Sequence, residues 1–282
     1  MAARPGAASG PRESETIELH ADWDGPPPPG GRTLVLLHGF TGDAATWDPV
    51  REGLRRWGST LALDLIGHGG SPAPAALEPY RMEACVAQVL AALERREIGR
   101  AWLVGYSLGG RVALSVAARH PKRVAGLILE SASPGLADAA ERAERVREDE
   151  ALAADILAHG VPAFVARWSE RPMFGDVQRL PPERQAAVRA QRLRNSAAGL
   201  AQSLRGMGSG AMEPLWERLA ALDMPALLLA GEEDSKFVAI ARQMQALLPQ
   251  ARLGVISAAR HTPHLTQPAE WLRQVSGFFE SV

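Results

Sequence analysis

The sequence has little cysteine, little lysine and no long apolar run, and each shortage excludes a class of protein. Cys85 is the single cysteine in 282 residues, so the chain cannot form an internal disulfide, and a reducing environment is expected. No apolar run approaches the roughly 20 residues that a membrane-spanning helix needs. Residues 1–11 also lack the apolar segment of a secretion signal. We therefore expect a cytoplasmic protein without a membrane partner.

The charge balance gives no indication of a polyanionic partner. The net charge is −1, which argues against nucleic acid or an anionic membrane surface as a binding partner. Lys122 and Lys236 are the only lysines among 31 basic residues, which leaves 29 arginines. A GC-rich genome would account for this skew. The alternative is that some guanidinium groups bind carboxylates through two hydrogen bonds.

Short apolar runs alternate with helix-length amphipathic stretches along most of the chain. Buried strands separated by helices indicate an α/β fold, with a mostly parallel twisted sheet covered by helices on both faces. One exposed strand is also expected at 16–20, where apolar and polar residues alternate. The other predicted strands are 33–37, 60–65, 101–104, 124–129, 224–230 and 251–256, and the clearest predicted helices are 80–96, 110–119 and 268–279.

The alternation stops in one long segment, which suggests a division of the chain. Residues 134–219 have no clear strand but show helical periodicity around 139–159 and 182–202, so we interpret them as a helical lid. Residues 31–133 and 220–282 would form the core. Residues 1–30 would hold a flexible leader, the first strand and a proline-rich linker.

Ser107 lies in the sequence Gly105-Tyr106-Ser107-Leu108-Gly109, which matches the G-x-S-x-G nucleophile elbow. In this motif a tight strand-to-helix turn exposes the serine, and the small flanking residues relieve crowding. An apolar strand precedes the motif and a helix-compatible run follows it, as the motif requires. The alternative is an ordinary glycine-rich turn. We predict that Ser107 is the catalytic serine of an α/β-hydrolase fold.

A catalytic serine needs an imidazole that accepts its proton. His261 and His264 follow the last predicted strand, and His261 is preferred because it lies closer to the strand end. Their spacing would suit a metal pair, but no third ligand is near, so no metal site is predicted. The acid of this fold comes between serine and histidine in the chain. Asp234 is the predicted acid, with Glu233 as the alternative.

Two backbone N–H groups are candidates for an oxyanion hole, which stabilises negative charge on a substrate oxygen. One belongs to Leu108, directly after the serine, and the other to Phe40, in the turn that follows the 33–37 strand. His38 and His68 lie in similar glycine-bounded turns, where a structural hydrogen bond is the expected role.

Motifs in both the core and the helical segment resemble one family, the 2-succinyl-6-hydroxy-2,4-cyclohexadiene-1-carboxylate synthases of menaquinone biosynthesis. The likeness runs from about Thr33 to the C-terminus. Several motifs lie in the predicted lid, where generic hydrolases diverge, so their joint presence is specific. They are LHGFTG at 37–42, GYSLGGR at 105–111, LESASPGL at 129–136, AERAERVRED at 140–149, SLRGMGSG at 203–210, Pro214-Leu215-Trp216 and GEEDSKF at 231–237.

The resemblance implies a lyase that needs no cofactor. Its substrate would be a small polycarboxylate, 2-succinyl-5-enolpyruvyl-6-hydroxy-3-cyclohexene-1-carboxylate, from which removal of a ring proton expels pyruvate. Ser107 and His261 would accept the proton, and the oxyanion hole would hold the enolate oxygen. One alternative is a serine hydrolase acting on an ester, lactone or C–C bond of a small carboxylated substrate. Another is a binding protein on a hydrolase scaffold, although such a protein need not keep all three triad residues. A monomer is compatible with the sequence.

Three arginines are expected to bind the substrate carboxylates. Arg111 lies one helical turn after Ser107, near the active face. By the family pattern, Arg145 and Arg192 of the lid would also bind carboxylates, and Tyr106 and Trp168 would line the pocket. A surface arginine or a packed aromatic is the alternative for each.

The histidine loop departs from the family pattern at two positions. Arg260 precedes His261 where glycine is usual, and Thr266 stands where an acidic residue is common. If the glycine is needed for a positive φ, arginine would adopt that conformation only with strain.

Overall fold

The computed structural model describes residues 17–282, so the predictions for the leader at 1–15 lie outside the described residues. The described residues contain one seven-stranded sheet. Its strands are β1 (Ala21–Trp23), β2 (Arg32–Leu37), β3 (Gly58–Leu63), β4 (Ala101–Tyr106), β5 (Val124–Glu130), β6 (Ala226–Gly231) and β7 (Ala251–Ile256). Their order across the sheet is β1-β3-β2-β4-β5-β6-β7. β1 is antiparallel to β3 and every other pair is parallel.

Helices connect the strands and cover the sheet. They are α1 (Asp48–Arg55), α2 (Met82–Glu94), α3 (Leu108–Arg119), α4 (Ala139–Ser169), α5 (Pro182–Leu193), α6 (Ala197–Met207), α7 (Ser235–Leu247), α8 (Pro263–Thr266) and α9 (Pro268–Phe279). No helix among residues 17–282 is long and apolar enough to cross a membrane. The predicted α/β fold with a mostly parallel sheet is confirmed.

Alternate residues of the strands pack into two cores on opposite faces of the sheet, as the two-residue period of a strand requires. In β2, Val35 and Leu37 join a core with α2, α3 and α7. Leu34 and Leu36 join a second core with α1 and α9. Burial on both faces explains why these strands are continuous apolar runs in the sequence.

The strand predicted at 16–20 is wrong, because residues 17–20 are not in a strand and the edge strand is β1. The backbone of His20 is bound instead to the loop after β3. Its N–H donates to Ser71 Oγ at 2.8 Å, and its carbonyl accepts from the Asp64 N–H at 3.0 Å. Regular pairing with β3 begins only at the next residue, where Ala21 lies opposite Leu63.

The segment between β5 and β6 has helices and no strand among its described residues, and it has its own apolar cluster. α4 contains a kink at Gly160, where φ is 77° and ψ is 168°. The single helix predicted over 182–202 is in fact two, α5 and α6, because Ser196 begins α6 by accepting a hydrogen bond from the Gly199 N–H at 3.0 Å. The interpretation of this segment as a lid stays a prediction.

Candidate active site

Ser107 lies in the tight turn between β4 and α3, at the carboxyl edge of the sheet. Its φ is 51° and ψ is −107°, a strained conformation for a residue with a side chain. The neighbouring glycines permit this turn. A Cβ on Gly105 would lie 2.5 Å from the Gly109 carbonyl oxygen, and one on Gly109 would lie 2.0 Å from the Leu37 carbonyl oxygen. The close approach of α3 to the end of β2 is therefore possible only with glycine at 109.

His261 connects Ser107 to Asp234 through two hydrogen bonds. His261 Nε2 is 3.1 Å from Ser107 Oγ, and His261 Nδ1 is 2.7 Å from Asp234 Oδ2. The three residues follow β4, β6 and β7, so the parallel sheet brings their strand ends to one edge. Glu233, the alternative acid, contacts Arg179 and Arg260 instead. The geometry thus favours Asp234 over Glu233 as the partner of the imidazole.

Aromatic side chains surround the imidazole of His261, which is almost completely buried. The ring centroids of Phe237, Tyr106 and Phe174 lie 4.6, 5.5 and 6.2 Å from that of the histidine. Burial raises the pKa of the Tyr106 phenol well above its usual value, and the neighbouring Glu130 carboxylate adds to this effect. Tyr106 is therefore a neutral group beside the His261 imidazole.

The backbone N–H groups of Phe40 and Leu108 make no hydrogen bond to any described residue. Phe40 follows the end of β2, and Leu108 is the first residue of α3, so both lie at the edge that carries Ser107. Free N–H donors at the start of a helix favour negative charge. Their assignment as an oxyanion hole stays a prediction.

His264 is not part of a metal pair with His261. Its Nδ1 lies 2.7 Å from Glu130 Oε1, and Glu130 Oε2 accepts a hydrogen bond from Trp271 Nε1 at 2.7 Å. Glu130 also accepts the Ser107 N–H through its backbone carbonyl at 2.9 Å. Within residues 17–282, no group of three metal-binding side chains exists. Glu130 therefore binds the Ser107 turn through its backbone carbonyl, and binds His264 and Trp271 through its side chain.

Arg111 and Arg145 lie close enough for their charges to interact. Arg111 Nη2 donates to the Met207 carbonyl at 2.8 Å, while its Nε is buried without a partner in the described part of the chain. Burial, with a further contribution from Arg145, lowers the pKa of Arg111 to about 10. Arg145 donates to the buried Asp149 at 2.9 Å. This site carries excess positive charge that an anion would balance.

Arg192 is buried on α5, and no carboxylate among residues 17–282 forms an ion pair with it. Its guanidinium donates to Ser169 Oγ at 2.8 Å and stacks on Phe174 at 4.6 Å. Burial lowers its pKa. Trp168 lies beside this group, with its ring centroid 5.8 Å from Phe174, and its buried Nε1 has no partner among the described residues.

The histidine loop accommodates arginine before His261 without a positive φ. The positive-φ residue of this loop is Ala258, at 55°, and Arg260 is not among the positive-φ residues. The Arg260 N–H donates to Asp176 Oδ2 at 2.7 Å, and the Thr266 hydroxyl lies 3.0 Å from the same oxygen. Sequence reasoning missed Asp176, since its contacts span 84 and 90 positions of the chain.

Asn195, another residue that sequence reasoning missed, joins the helical segment to the turn after β2. Its Nδ2 donates to the Thr41 carbonyl at 2.9 Å, next to Phe40. Nothing in the local sequence marks this contact, because the two residues are 154 positions apart.

An open cavity of about 420 Å³ lies at the opposite, amino-terminal ends of β2 and β4. Arg32, Arg96 and Trp102 are among its lining residues, and none of the predicted site residues is. Its lining contains Glu97 but no serine, cysteine or histidine of the described chain, so it lacks the paired serine and imidazole found at the carboxyl edge.

Comparisons with known proteins identify the family of this chain. Residues 32–268 match the family described as the alpha/beta hydrolase fold. A Bacillus subtilis (strain 168) protein provisionally named 2-succinyl-6-hydroxy-2,4-cyclohexadiene-1-carboxylate synthase is 39% identical over 255 residues, 90% of this chain and 93% of the relative. A Salmonella paratyphi C protein with that name is 37% identical over 86% of this chain and 92% of its own length.

The solved structure of MenH from S. aureus is also similar to this chain. Its TM-score is 0.88 and its sequence identity is 35%, and the match covers 93% of this chain and 98% of the solved one. The likeness therefore extends through the helical segment between β5 and β6 as well as the sheet.

Proposed function

The chain belongs to the 2-succinyl-6-hydroxy-2,4-cyclohexadiene-1-carboxylate synthase family of the α/β-hydrolase fold, and we propose on this premise that it is a lyase of menaquinone biosynthesis. Its substrate is 2-succinyl-5-enolpyruvyl-6-hydroxy-3-cyclohexene-1-carboxylate, from which it eliminates pyruvate. The observation that carries the proposal is the hydrogen-bonded series Ser107–His261–Asp234 at the strand edge.

The reaction begins when a ring C–H bond next to the succinyl ketone breaks. Ser107 and His261 accept the proton, with Asp234 stabilising the imidazolium that results. The electron pair moves onto the ketone oxygen, where the N–H groups of Phe40 and Leu108 stabilise the enolate. As the enolate collapses, a C2–C3 double bond forms, the ring double bond moves from C3–C4 to C4–C5, and the bond between ring C5 and the enolpyruvyl oxygen breaks. The departing enolpyruvate takes up a proton from the His261 imidazolium and becomes pyruvate.

Three carboxylates on the substrate require matching cations. Arg111, Arg145 and Arg192 supply them. Arg111 and Arg192 are buried without a carboxylate partner among the described residues, whereas Arg145 is paired with Asp149. Tyr106 and Trp168 line the apolar part of the pocket. Carboxylate binding restores the charge balance of the buried guanidinium groups, so binding energy orients the ring against Ser107.

Turnover with enzymatically generated substrate tests this function. Pyruvate release and the diene chromophore are followed together in the wild-type protein and in Ser107→Ala, and both are corrected for spontaneous elimination. We expect equal amounts of the two products, formed with a kcat that falls by at least 100-fold in the variant. A folded wild-type protein that does not exceed the spontaneous rate would refute the proposal. Hydrolysis of simple esters without elimination would instead identify a serine hydrolase.

A further inference from the structure

The loop that carries His261 is bound to a short segment that follows α4. Residues Pro172–Phe174 and Val177–Arg179 of this segment each form one turn of 3-10 helix. Asp176 stands between the two turns and receives hydrogen bonds from both sides of the histidine. The Arg260 N–H donates to Asp176 Oδ2 at 2.7 Å. The Thr266 hydroxyl is 3.0 Å from the same atom and 3.2 Å from the Thr262 carbonyl, so the carboxylate is its closer acceptor.

Asp176 is unusually buried for an aspartate in a segment that connects two short turns. It is 2% exposed, and its Oδ1 is buried without a hydrogen-bond partner in the described part of the chain. It precedes a 3-10 turn, but its side chain does not cap that turn. A buried carboxylate loses hydration that must be replaced by other interactions. The hydrogen bonds that replace this hydration come from the histidine loop. This indicates that the Asp176 side chain holds the histidine loop in place.

Backbone and side-chain contacts reinforce the connection. The His261 N–H donates to the Met173 carbonyl at 3.3 Å, and Arg260 Nη1 donates to the Pro172 carbonyl at 2.8 Å. Glu233, next to Asp234, accepts from Arg260 Nε at 3.0 Å and from Arg179 Nη1 at 3.1 Å. The base, its acid and the 172–179 segment are thus joined by hydrogen bonds.

The same segment contacts the proposed carboxylate pocket. Phe174 contacts both sites: its ring centroid lies 6.2 Å from that of His261, and the guanidinium of Arg192 lies over the Phe174 ring, 4.6 Å from its centroid. A movement of this segment would therefore be felt both at Arg192 and at the base.

We propose that Asp176 is a positioning residue for the base: its carboxylate fixes the backbone at Arg260 and the side chain at Thr266, and so keeps His261 Nε2 directed at Ser107. Asp176 touches neither substrate nor reacting atoms, and its effect passes through the loop. Through Asp176, the orientation of His261 also depends on the position of the helical segment relative to the sheet. The inference rests on the proposed function where it is tested by the rate of elimination, but not where it is tested by chemical labelling of Ser107.

The test compares Asp176→Ala, Asp176→Asn and Thr266→Val with the wild-type protein. Two quantities are measured, namely the kcat and KM of the elimination and the second-order rate at which a fluorophosphonate modifies Ser107. We expect Asp176→Ala to lower kcat by about 10- to 100-fold, because misplacement of a catalytic group by about 1 Å costs this much. KM should change by less than about twofold, and serine labelling should slow with kcat.

Asp176→Asn separates the hydrogen bonds from the charge. The asparagine Oδ1 accepts the same two hydrogen bonds, so kcat should return to within about threefold of wild type. Thr266→Val removes one of the two bonds and should lower kcat by less than Asp176→Ala does. In the Asp176→Ala background the same valine should have no further effect, because its acceptor is already gone.

The matched control is Asp155→Ala. Asp155 is another aspartate of the helical segment, paired with Arg167 and with His159 at 3.0 Å on the outer surface, and its loss should leave both rates unchanged. If Asp176→Ala does not fold, the inference is tested by Thr266→Val alone, which should lower kcat and slow the labelling of Ser107.

Unchanged kcat and labelling in Asp176→Ala would overturn the inference, and so would a change confined to KM. If the wild-type protein shows no elimination while labelling still slows in Asp176→Ala, the proposed function fails but the positioning role stands.

Discussion

Arg192 has a planar guanidinium with five N–H donors, and its local environment uses few of them. Among the described residues its one side-chain hydrogen bond goes to Ser169, and the ring of Phe174 covers one face. Burial lowers its pKa, which reflects the cost of holding a charge there without a counter-ion. A substrate carboxylate would offset that cost through two charge-assisted hydrogen bonds. The chemistry of Arg192 thus suits the proposed role of binding a substrate carboxylate.

Arg192→Lys tests this role, since lysine keeps the charge but loses the planar fork and the stacking on Phe174. We expect KM for the elimination to rise by about 10- to 100-fold, as loss of a charge-assisted pair costs about 1.5–3 kcal/mol. The fall in kcat should be much smaller. Arg189→Lys, on the exposed side of the same helix α5, is the control and should leave KM unchanged. A fall in kcat at constant KM would contradict a binding role.

The local sequence around Ser107, Asp234 and His261 contains enough information to pick these residues, because each directly follows a strand and their order along the chain is characteristic. The same reasoning leaves Glu233 and Asp234 as alternatives, since both follow β6. Only the three-dimensional fold directs Asp234 to the imidazole and Glu233 to Arg260. Asp176 could not be predicted at all, because a carboxylate without a local partner carries no pattern.

At the scale of elements, α4 combines two helical stretches at a conformation that only glycine adopts readily. Gly160 has φ 77° and ψ 168°, and Pro162 begins the second stretch. Space is not the constraint, because a Cβ there would meet only Pro162 Cδ at 3.7 Å. The backbone conformation is the constraint.

Gly160→Ala should therefore lower the free energy of unfolding by about 1–3 kcal/mol, the cost of holding a side-chain-bearing residue in this region. Gly277→Ala is the matched control. Gly277 lies inside α9 with ordinary φ and no atom within 4 Å of its Cβ position, so alanine should stabilise the protein by about 0.4–1 kcal/mol. Urea unfolding of both variants measures the two changes. Equal shifts of the same sign would show that the kink carries no strain.

Strands are easier to predict than helix boundaries in this chain, for a physical reason. The inner strands are buried on both faces and read as apolar runs, and the prediction of 124–129 falls within β5. Gly160 and Pro162 together resemble the end of a helix, so the prediction stops at 159, whereas α4 continues to Ser169. The sequence prediction singles out neither α1 nor α7, because the burial of each helix depends on the sheet that it covers.

At the scale of the whole molecule, the sheet that assembles the site also buries two histidines beside it. The rings of His38 and His68 are 5.0 Å apart. His38 Nε2 accepts the Leu65 N–H at 2.9 Å and its Nδ1 lies 2.8 Å from the Gly39 carbonyl, an arrangement that requires the neutral ring. Burial lowers the pKa of His38, and burial together with His38 lowers the pKa of His68 to about 3.

These pKa values determine how stability depends on pH. The ordinary histidine pKa is 6.5, so between pH 6.5 and about 3 the unfolded chain binds a proton at His68 that the folded protein does not. The contribution of this histidine to stability is complete above pH 6.5 and is lost as the pH falls toward 3. Each such group contributes a slope of up to about 1.4 kcal/mol per pH unit. His38 acts in the same direction.

His68→Asn should make the dependence of stability on pH shallower. The slope should fall by the amount that corresponds to nearly one fewer proton taken up on unfolding. The asparagine amide donates to the Ile66 carbonyl as His68 Nδ1 does at 3.0 Å, but it does not titrate. The free energy of unfolding, measured in urea at pH 7, 6, 5 and 4, should fall less steeply in the variant, whatever its absolute stability at pH 7. His120→Asn, at an exposed position, controls for the loss of one imidazole. An unchanged slope in His68→Asn would mean that His68 binds a proton equally well in the folded and unfolded protein. Acid unfolding would then begin at groups other than His68.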